Sequence, residues 1–173
     1  MNQPLDENRL FSANEAERAV AQKLYQAVAK LPIVSPHGHV NPQLLVDNQP
    51  FANPAELFIY YDHYVTRMFH AAGFDFATML GRTGAQADSA ARETWQIFCS
   101  NFHLLAGTAS GYWLSHAFGT LFGITQMPSA DNAGELYQII ADALATPEFL
   151  PRALFSRFGI EVLATTDDPL DDL

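Results

Sequence analysis

Ile33-Val34-Ser35-Pro36-His37-Gly38-His39 is a short apolar run that ends in two histidines one residue apart. Side chains at i and i+2 of an extended chain point to the same face. His37 and His39 are therefore expected to present two imidazoles side by side, and Gly38 leaves the opposite face uncrowded. Imidazole is the commonest protein ligand for a transition metal, so the pair reads as half of a metal site. The other reading is two solvated histidines in a turn. A catalytic zinc ordinarily takes three protein ligands, and this spacing supplies two.

Helical patterning surrounds the run on both sides. Upstream, Ser12 followed by Glu15 has the form of a capping box. Val20, Leu24, Ala27, Val28 and Leu31 then recur at helical spacing, which predicts an amphipathic helix over residues 13–30, stopped by Pro32. Downstream, Pro42 to Asp47 predicts one or two turns. Asn53-Pro54-Ala55-Glu56 reads as a helix start, with the helix continuing through Asp62-His63-Tyr64 to Gly73. Asp88 is expected to cap a long helix to Ala106 with Trp95, Phe98, Phe102 and Leu105 on its core face. Further helices are expected over Tyr112–Phe122, from Ser129 or Asp131 through Leu144, and over Pro151–Phe158.

Ile160-Glu161-Val162-Leu163-Ala164-Thr165-Thr166 then returns to a β-like pattern, bounded by Gly159 and Pro169. Two apolar strands joined through helix suggest a buried parallel pair from an α/β protein. More than a hundred residues separate them, far more than an ordinary connection needs, which favours a helical subdomain inserted after the first strand. The expected division is 1–40 for the N-terminal helix and first strand, 41–158 for the insertion, and 159–173 for the second strand and its end. Two strands cannot cover their own edges. The chain therefore reads as the front part of a larger protein, with exposed apolar strand surface and self-association into a homo-oligomer.

Composition narrows the function. Of the 173 residues, 49% are hydrophobic, enough for a real core. Nineteen acidic against nine basic residues give a formal charge of -10, which disfavours nucleic acid and anionic membranes as partners. One or two placed arginines can still bind a small carboxylate. The single Cys99 excludes an internal disulfide and fits a reducing compartment. No secretory signal or membrane-length apolar run is visible, so a cytoplasmic location is expected.

The ordered set Leu31-Pro-Ile-Val-Ser-Pro-His37-Gly-His39, Asp62-His63-Tyr64-x-x-Arg67, Trp113 with Phe122-Gly123-Ile124, and Thr165-Thr166-Asp167-Asp168-Pro169 resembles the uronate isomerases, also called glucuronate isomerases. The resemblance runs from about residue 10 to the end of the chain. It implies an amidohydrolase-like superfamily and the N-terminal portion of a TIM-type (β/α)8 barrel, incomplete here, with the helical insertion after strand 1. It further implies an aldose–ketose isomerase that converts D-glucuronate to D-fructuronate and D-galacturonate to D-tagaturonate in hexuronate catabolism.

On that resemblance His37 and His39 are metal ligands, most naturally for zinc, held weakly because further ligands lie on later strands. His63 and Tyr64 bind substrate hydroxyls or assist proton transfer. Arg67, one turn beyond His63, either clamps the substrate carboxylate or holds Asp62 or His63 in place. Asp167 and Asp168 are either site residues or the cap of a following helix. His70, His103 and His116 read as core or surface histidines. Trp95 and Trp113 read as core, with Trp113 alternatively walling a pocket. Tyr112-Trp113-Leu114-Ser115-His116 departs from the Trp-Thr-His-Leu-Glu-Leu form of many members and marks a divergent branch. The resemblance also implies a further metal-ligand aspartate and an arginine on later barrel strands, and without them the chain alone is expected to be inactive. Two other readings remain: a metal-dependent hydrolase of the amidohydrolase type, which His37-x-His39 permits, and a non-catalytic helical interaction module.

Overall fold

The computed structural model describes residues 6–80 and 87–168. Pro169, the last residue of the Thr-Thr-Asp-Asp-Pro string, lies outside them. In chain order the elements are α1 (Glu15–Val28), β1 (Ile33–Ser35), α2 (Gln43–Asp47), a π-helical turn (Glu56–Tyr60), α3 (His63–Ala71) and α4 (Phe76–Met79). There follow α5 (Ala87–Ser100), a 3-10 turn (Phe102–Leu105), α6 (Ala109–Phe122), α7 (Ala133–Leu144), a 3-10 turn (Pro147–Phe149), α8 (Pro151–Arg157) and β2 (Ile160–Leu163). The arrangement is mostly helical α/β, and it divides into two compact units. One is formed by residues 51–146. The other is formed by residues 6–50 and 147–168.

In the 51–146 unit, α5 packs on α7 through an aromatic core. Trp95, Phe98, Phe102 and Leu105 are buried, as their spacing predicts. Phe58 meets Phe118 edge-on at 5.1 Å, and the Trp95 and Phe98 rings lie 5.3 Å apart. Trp95 Nε1 donates to Ala133 O at 3.0 Å, so the one polar atom of the indole is satisfied inside an apolar core. Two boundaries differ from the expected ones. The helix predicted to reach Ala106 ends at Ser100 and tightens into the 3-10 turn. Asp88 is its second residue, and the Asp88 carboxylate accepts from Tyr137 Oη at 3.3 Å and pairs with Arg92 at 3.1 Å.

In the other unit, β1 and β2 form a parallel pair, with Ile33 opposite Ile160, Val34 opposite Val162 and Ser35 opposite Leu163. Gly159, at φ +65°, turns the chain out of α8 in a conformation that disfavours a Cβ. Its carbonyl then accepts from Ile33 N at 2.8 Å. Apolar strand surface is exposed, as expected of two strands that cannot cover their own edges: Val34 is 61% exposed and Val162 48%. β2 also stops at Leu163 rather than Thr166.

Helix α1 has the predicted apolar stripe, yet none of its residues is buried, and Leu24 is 66% exposed. Its cap is Asn14, whose Oδ1 accepts from Ala16 N and Glu17 N. Ser12 Oγ instead reaches the Glu17 carboxylate at 2.6 Å. Asn and Ser rank alike as caps, and with Asn14 in that role the helix starts at Glu15.

Candidate functional site

The candidate residues fall into one group on each unit, and each group is described within its own unit. The first lies just past the end of β1. Ala164 N donates to Ser35 O at 2.9 Å, which closes the ladder. Ser35 Oγ donates to His37 O at 3.1 Å. His37 and His39 therefore follow the strand rather than belong to it, and their rings converge all the same. The ring centroids are 5.0 Å apart at 72°, and the two Nε2 atoms approach to 3.1 Å.

Gly38 has a tighter reason to be glycine than the uncrowded face expected of it. A Cβ there would stand 3.2 Å from Ala164 O and 3.2 Å from the Leu163 side chain. The loop between the histidines thus leans on the exit of β2.

Two neutral imidazole nitrogens at this separation either share one N–H or both point lone pairs at a common cation. Two nitrogens each about 2.0–2.1 Å from one tetrahedral zinc stand roughly 3.3 Å apart. The His37 and His39 donors therefore fit such an ion with a small opening of the pair. Among the described residues no group of three or more His, Cys, Asp or Glu could hold a metal ion, so the donor set they offer here is the two histidine nitrogens.

The second group sits at the start of α3. The helix predicted to run unbroken from Asn53 does begin there, with Asn53 Oδ1 accepting from Glu56 N at 2.9 Å. It then widens into the π-helical turn and breaks at Tyr61–Asp62. Asp62 restarts it as an N-cap, with Oδ1 accepting from Tyr64 N at 2.8 Å and Val65 N at 3.1 Å. Its carbonyl oxygen accepts from Thr66 Oγ1 at 3.0 Å.

This break sets the register of the whole group. Val65, Thr66 and Phe69 turn inward, and His63, Tyr64 and Arg67 turn outward. The His63 and Tyr64 rings lie 4.2 Å apart at 34°. Arg67 is four residues beyond His63 on the same exposed face. Asp62 Oδ1 is committed to the cap, and among the described residues the Asp88–Arg92 pair is the ion pair formed, not one through Arg67.

The remaining candidates separate cleanly. His70 Nδ1 lies 3.2 Å from Phe74 O with its ring against Phe76, while His103 and His116 are exposed, so all three are surface histidines. Trp95 is core. Trp113 is 40% exposed and is not. Asp167 and Asp168 are exposed beyond β2. Two residues of structural weight escaped the sequence reading. Asp62 carries a local cap signal that its place inside a conspicuous string obscured. Arg152 bonds to Leu45 and Val46, and no local pattern connects residues so far apart.

The family model for glucuronate isomerase matches residues 1–173. The chain belongs to the glucuronate isomerase family. It is 47% identical over 167 residues to the uronate isomerase of Corynebacterium efficiens, covering 96% of this chain and 35% of that protein. It is 47% identical over 169 residues to that of Sphingopyxis alaskensis, covering 98% of this chain and 35% of the relative. The fold matches the crystal structure of glucuronate isomerase from Caulobacter crescentus with a TM-score of 0.92 at 42% identity, over 100% of this chain and 36% of that one. A uronate isomerase structure from Thermotoga maritima matches at a TM-score of 0.83 and 27% identity, over 96% of this chain and 34% of the other. The chain thus spans about a third of the length of the family members it matches.

Proposed function

We propose that this chain is the N-terminal part of a hexuronate isomerase that interconverts D-glucuronate with D-fructuronate and D-galacturonate with D-tagaturonate. The observation that carries the reading is the family match across residues 1–173, with the converging nitrogens of His37 and His39 as its chemical centre. In this reading β1 and β2 are the first two strands of a (β/α)8 barrel of the amidohydrolase type. Segment 41–158 is the insertion between them, flanked by 1–40 and 159–173. Residues that follow a barrel strand, as His37 and His39 follow β1, are where such barrels collect catalytic groups.

The reaction moves a proton between C2 and C1 of the sugar acid through an enediol. It needs proton transfer at carbon and oxygen, stabilisation of the developing oxyanion, and a hold on the carboxylate. His63 and Tyr64 hold substrate hydroxyls and pass protons at oxygen through the imidazole and the phenol. Arg67 takes the carboxylate in a bidentate grip, which a guanidinium fork suits and an ammonium does not. His37 and His39 hold a divalent metal, zinc in the simplest case, which when bound supplies Lewis-acid polarisation of a sugar oxygen. The working protein is cytoplasmic and a homo-oligomer in this reading. No helix among the described residues is long and apolar enough to cross a membrane.

The test is a chimera in which this chain replaces the matching third of the Corynebacterium efficiens enzyme, assayed for keto acid from D-glucuronate with added zinc. Turnover abolished by His63→Ala is the expected result. A folded chimera that turns over esters or lactones but no hexuronate sinks the proposal in favour of a hydrolase. The 173-residue chain alone is expected to show no turnover, because its described residues hold no group of three or more metal-ligating side chains.

A further inference from the structure

Arg152, the second residue of α8, bonds across the chain to α2, the helix that follows the histidine pair. Its Nε donates to Leu45 O at 2.7 Å and its guanidinium Nη2 to Val46 O at 2.9 Å. Its backbone N donates to Asn48 Oδ1 at 3.0 Å. Both carbonyls belong to the last turn of α2, where helix carbonyls lack a partner farther along the chain. A planar fork with several donors suits two neighbouring acceptors, and a positive charge is favoured at a helix C-terminus. Asn48 closes α2 at φ 50° in the left-handed region, where its side chain accepts from the Arg152 backbone.

These bonds complete a circuit within one unit. β1 is held to β2 by Ile33 N on Gly159 O at one end and Ala164 N on Ser35 O at the other. α8 leads through Phe158 and Gly159 directly into β2. His37 and His39 lie between the last ladder residue, Ser35, and the first residue of α2, Gln43. The ladder fixes the histidine segment from upstream. The Arg152 bonds fix it from downstream, on the same β2-bearing element.

We propose that Arg152 is a positioning residue for the His37–His39 nitrogen pair, acting through α2. The inference rests on the reading of those histidines as metal ligands. Arg152 does not touch the metal or the substrate. It limits how far the pair can splay, so its loss lowers the fraction of time both nitrogens converge.

The experiment is zinc titration of the 173-residue chain against a competing chromophoric chelator, for the wild type, Arg152→Met, Arg152→Lys and His37→Ala. It is run at a temperature where circular dichroism shows each variant folded. Arg152→Met is expected to weaken zinc binding about tenfold, the scale on which residues behind metal ligands act. Arg152→Lys, which keeps the charge but not the planar fork, recovers part of that loss. Unchanged zinc affinity in folded Arg152→Met, with affinity lost in His37→Ala, overturns the positioning role alone. If Arg152→Met does not fold, wild-type affinity in Arg152→Lys overturns it equally. Unchanged affinity in His37→Ala overturns the metal reading and this inference with it.

Discussion

His37 Nε2 and His39 Nε2 face each other 3.1 Å apart, two and four residues beyond Ser35, the last ladder position of β1. Either histidine alone is a single exposed donor, and a lone imidazole holds zinc poorly at neutral pH. Truncating one is therefore expected to lower zinc affinity by more than the roughly 10–100-fold that loss of a supporting residue costs. Isothermal titration of His37→Ala and His39→Ala checks this. Both side chains are exposed, so the thermal midpoint is expected to stay within about a degree of the wild type, as surface substitutions usually do.

The Asp62 cap orients His63, Tyr64 and Arg67 together. Asp62→Ala removes the acceptor for Tyr64 N and Val65 N. The expected cost is about 1 kcal/mol, the usual value for losing an N-cap side chain. Asp62→Asn keeps an oxygen in place and is expected to retain most of the stability. Urea denaturation of the two variants distinguishes this from a role for the negative charge, in which Asn would be as damaging as Ala.

Arg67 is exposed and outside the Asp88–Arg92 ion pair, so its removal is expected to be silent in thermal denaturation. In the chimera described above, Arg67→Ala is expected to raise KM for D-glucuronate by about tenfold or more. Loss of a charge-assisted bidentate contact typically costs about 1.5–3 kcal/mol. Arg67→Lys keeps the charge but not the fork and should fall between. A fall in stability with KM unchanged would assign Arg67 to structure instead.

Alkaline stability reports on the helical unit. Burial pushes the Cys99 thiol from its ordinary 9.0 up to about 12. The Tyr137 hydroxyl rises from 10.0 to about 12, first through burial and then through the neighbouring Asp88 carboxylate. Both groups hold their protons more firmly folded than unfolded. Their contribution is fully present below about pH 9 and is lost as pH rises toward about 12. The thermal midpoint is thus expected to be level up to about pH 9 and to fall above it, with Cys99→Ala flattening the onset of the fall. A midpoint still level near pH 11 in the wild type would contradict the burial of these groups.

The sequence by itself determined the elements whose signals are local. Glycine at 73, 107, 123 and 159 takes positive φ just past a helical segment, a conformation that a residue without Cβ adopts freely, and the boundaries expected at Gly73 and Gly159 rest on that. The core face of α5 followed from helical spacing, since Trp95 and Phe98 need only the helix itself to share a side. The parallel partnership of two β-like runs and the family itself were also legible, whereas the histidine pair was read as part of the strand and lies just past it.

Tertiary structure alone decided what depends on residues distant in sequence. The stripe on α1 has core-like composition and yet is exposed, because burial requires a partner surface and composition does not name one. The break at Asp62, which turns His63, Tyr64 and Arg67 outward, is a competition between helix continuation and a cap that is won by inward packing of Val65 and Phe69. The convergence of the two Nε2 atoms needs ring torsions that residue spacing leaves open. The bonds from Arg152 to Leu45 and Val46 cross more than a hundred residues. Only the folded chain brings such groups within hydrogen-bond reach, because closing a loop of that length costs entropy that no local pattern in the sequence repays.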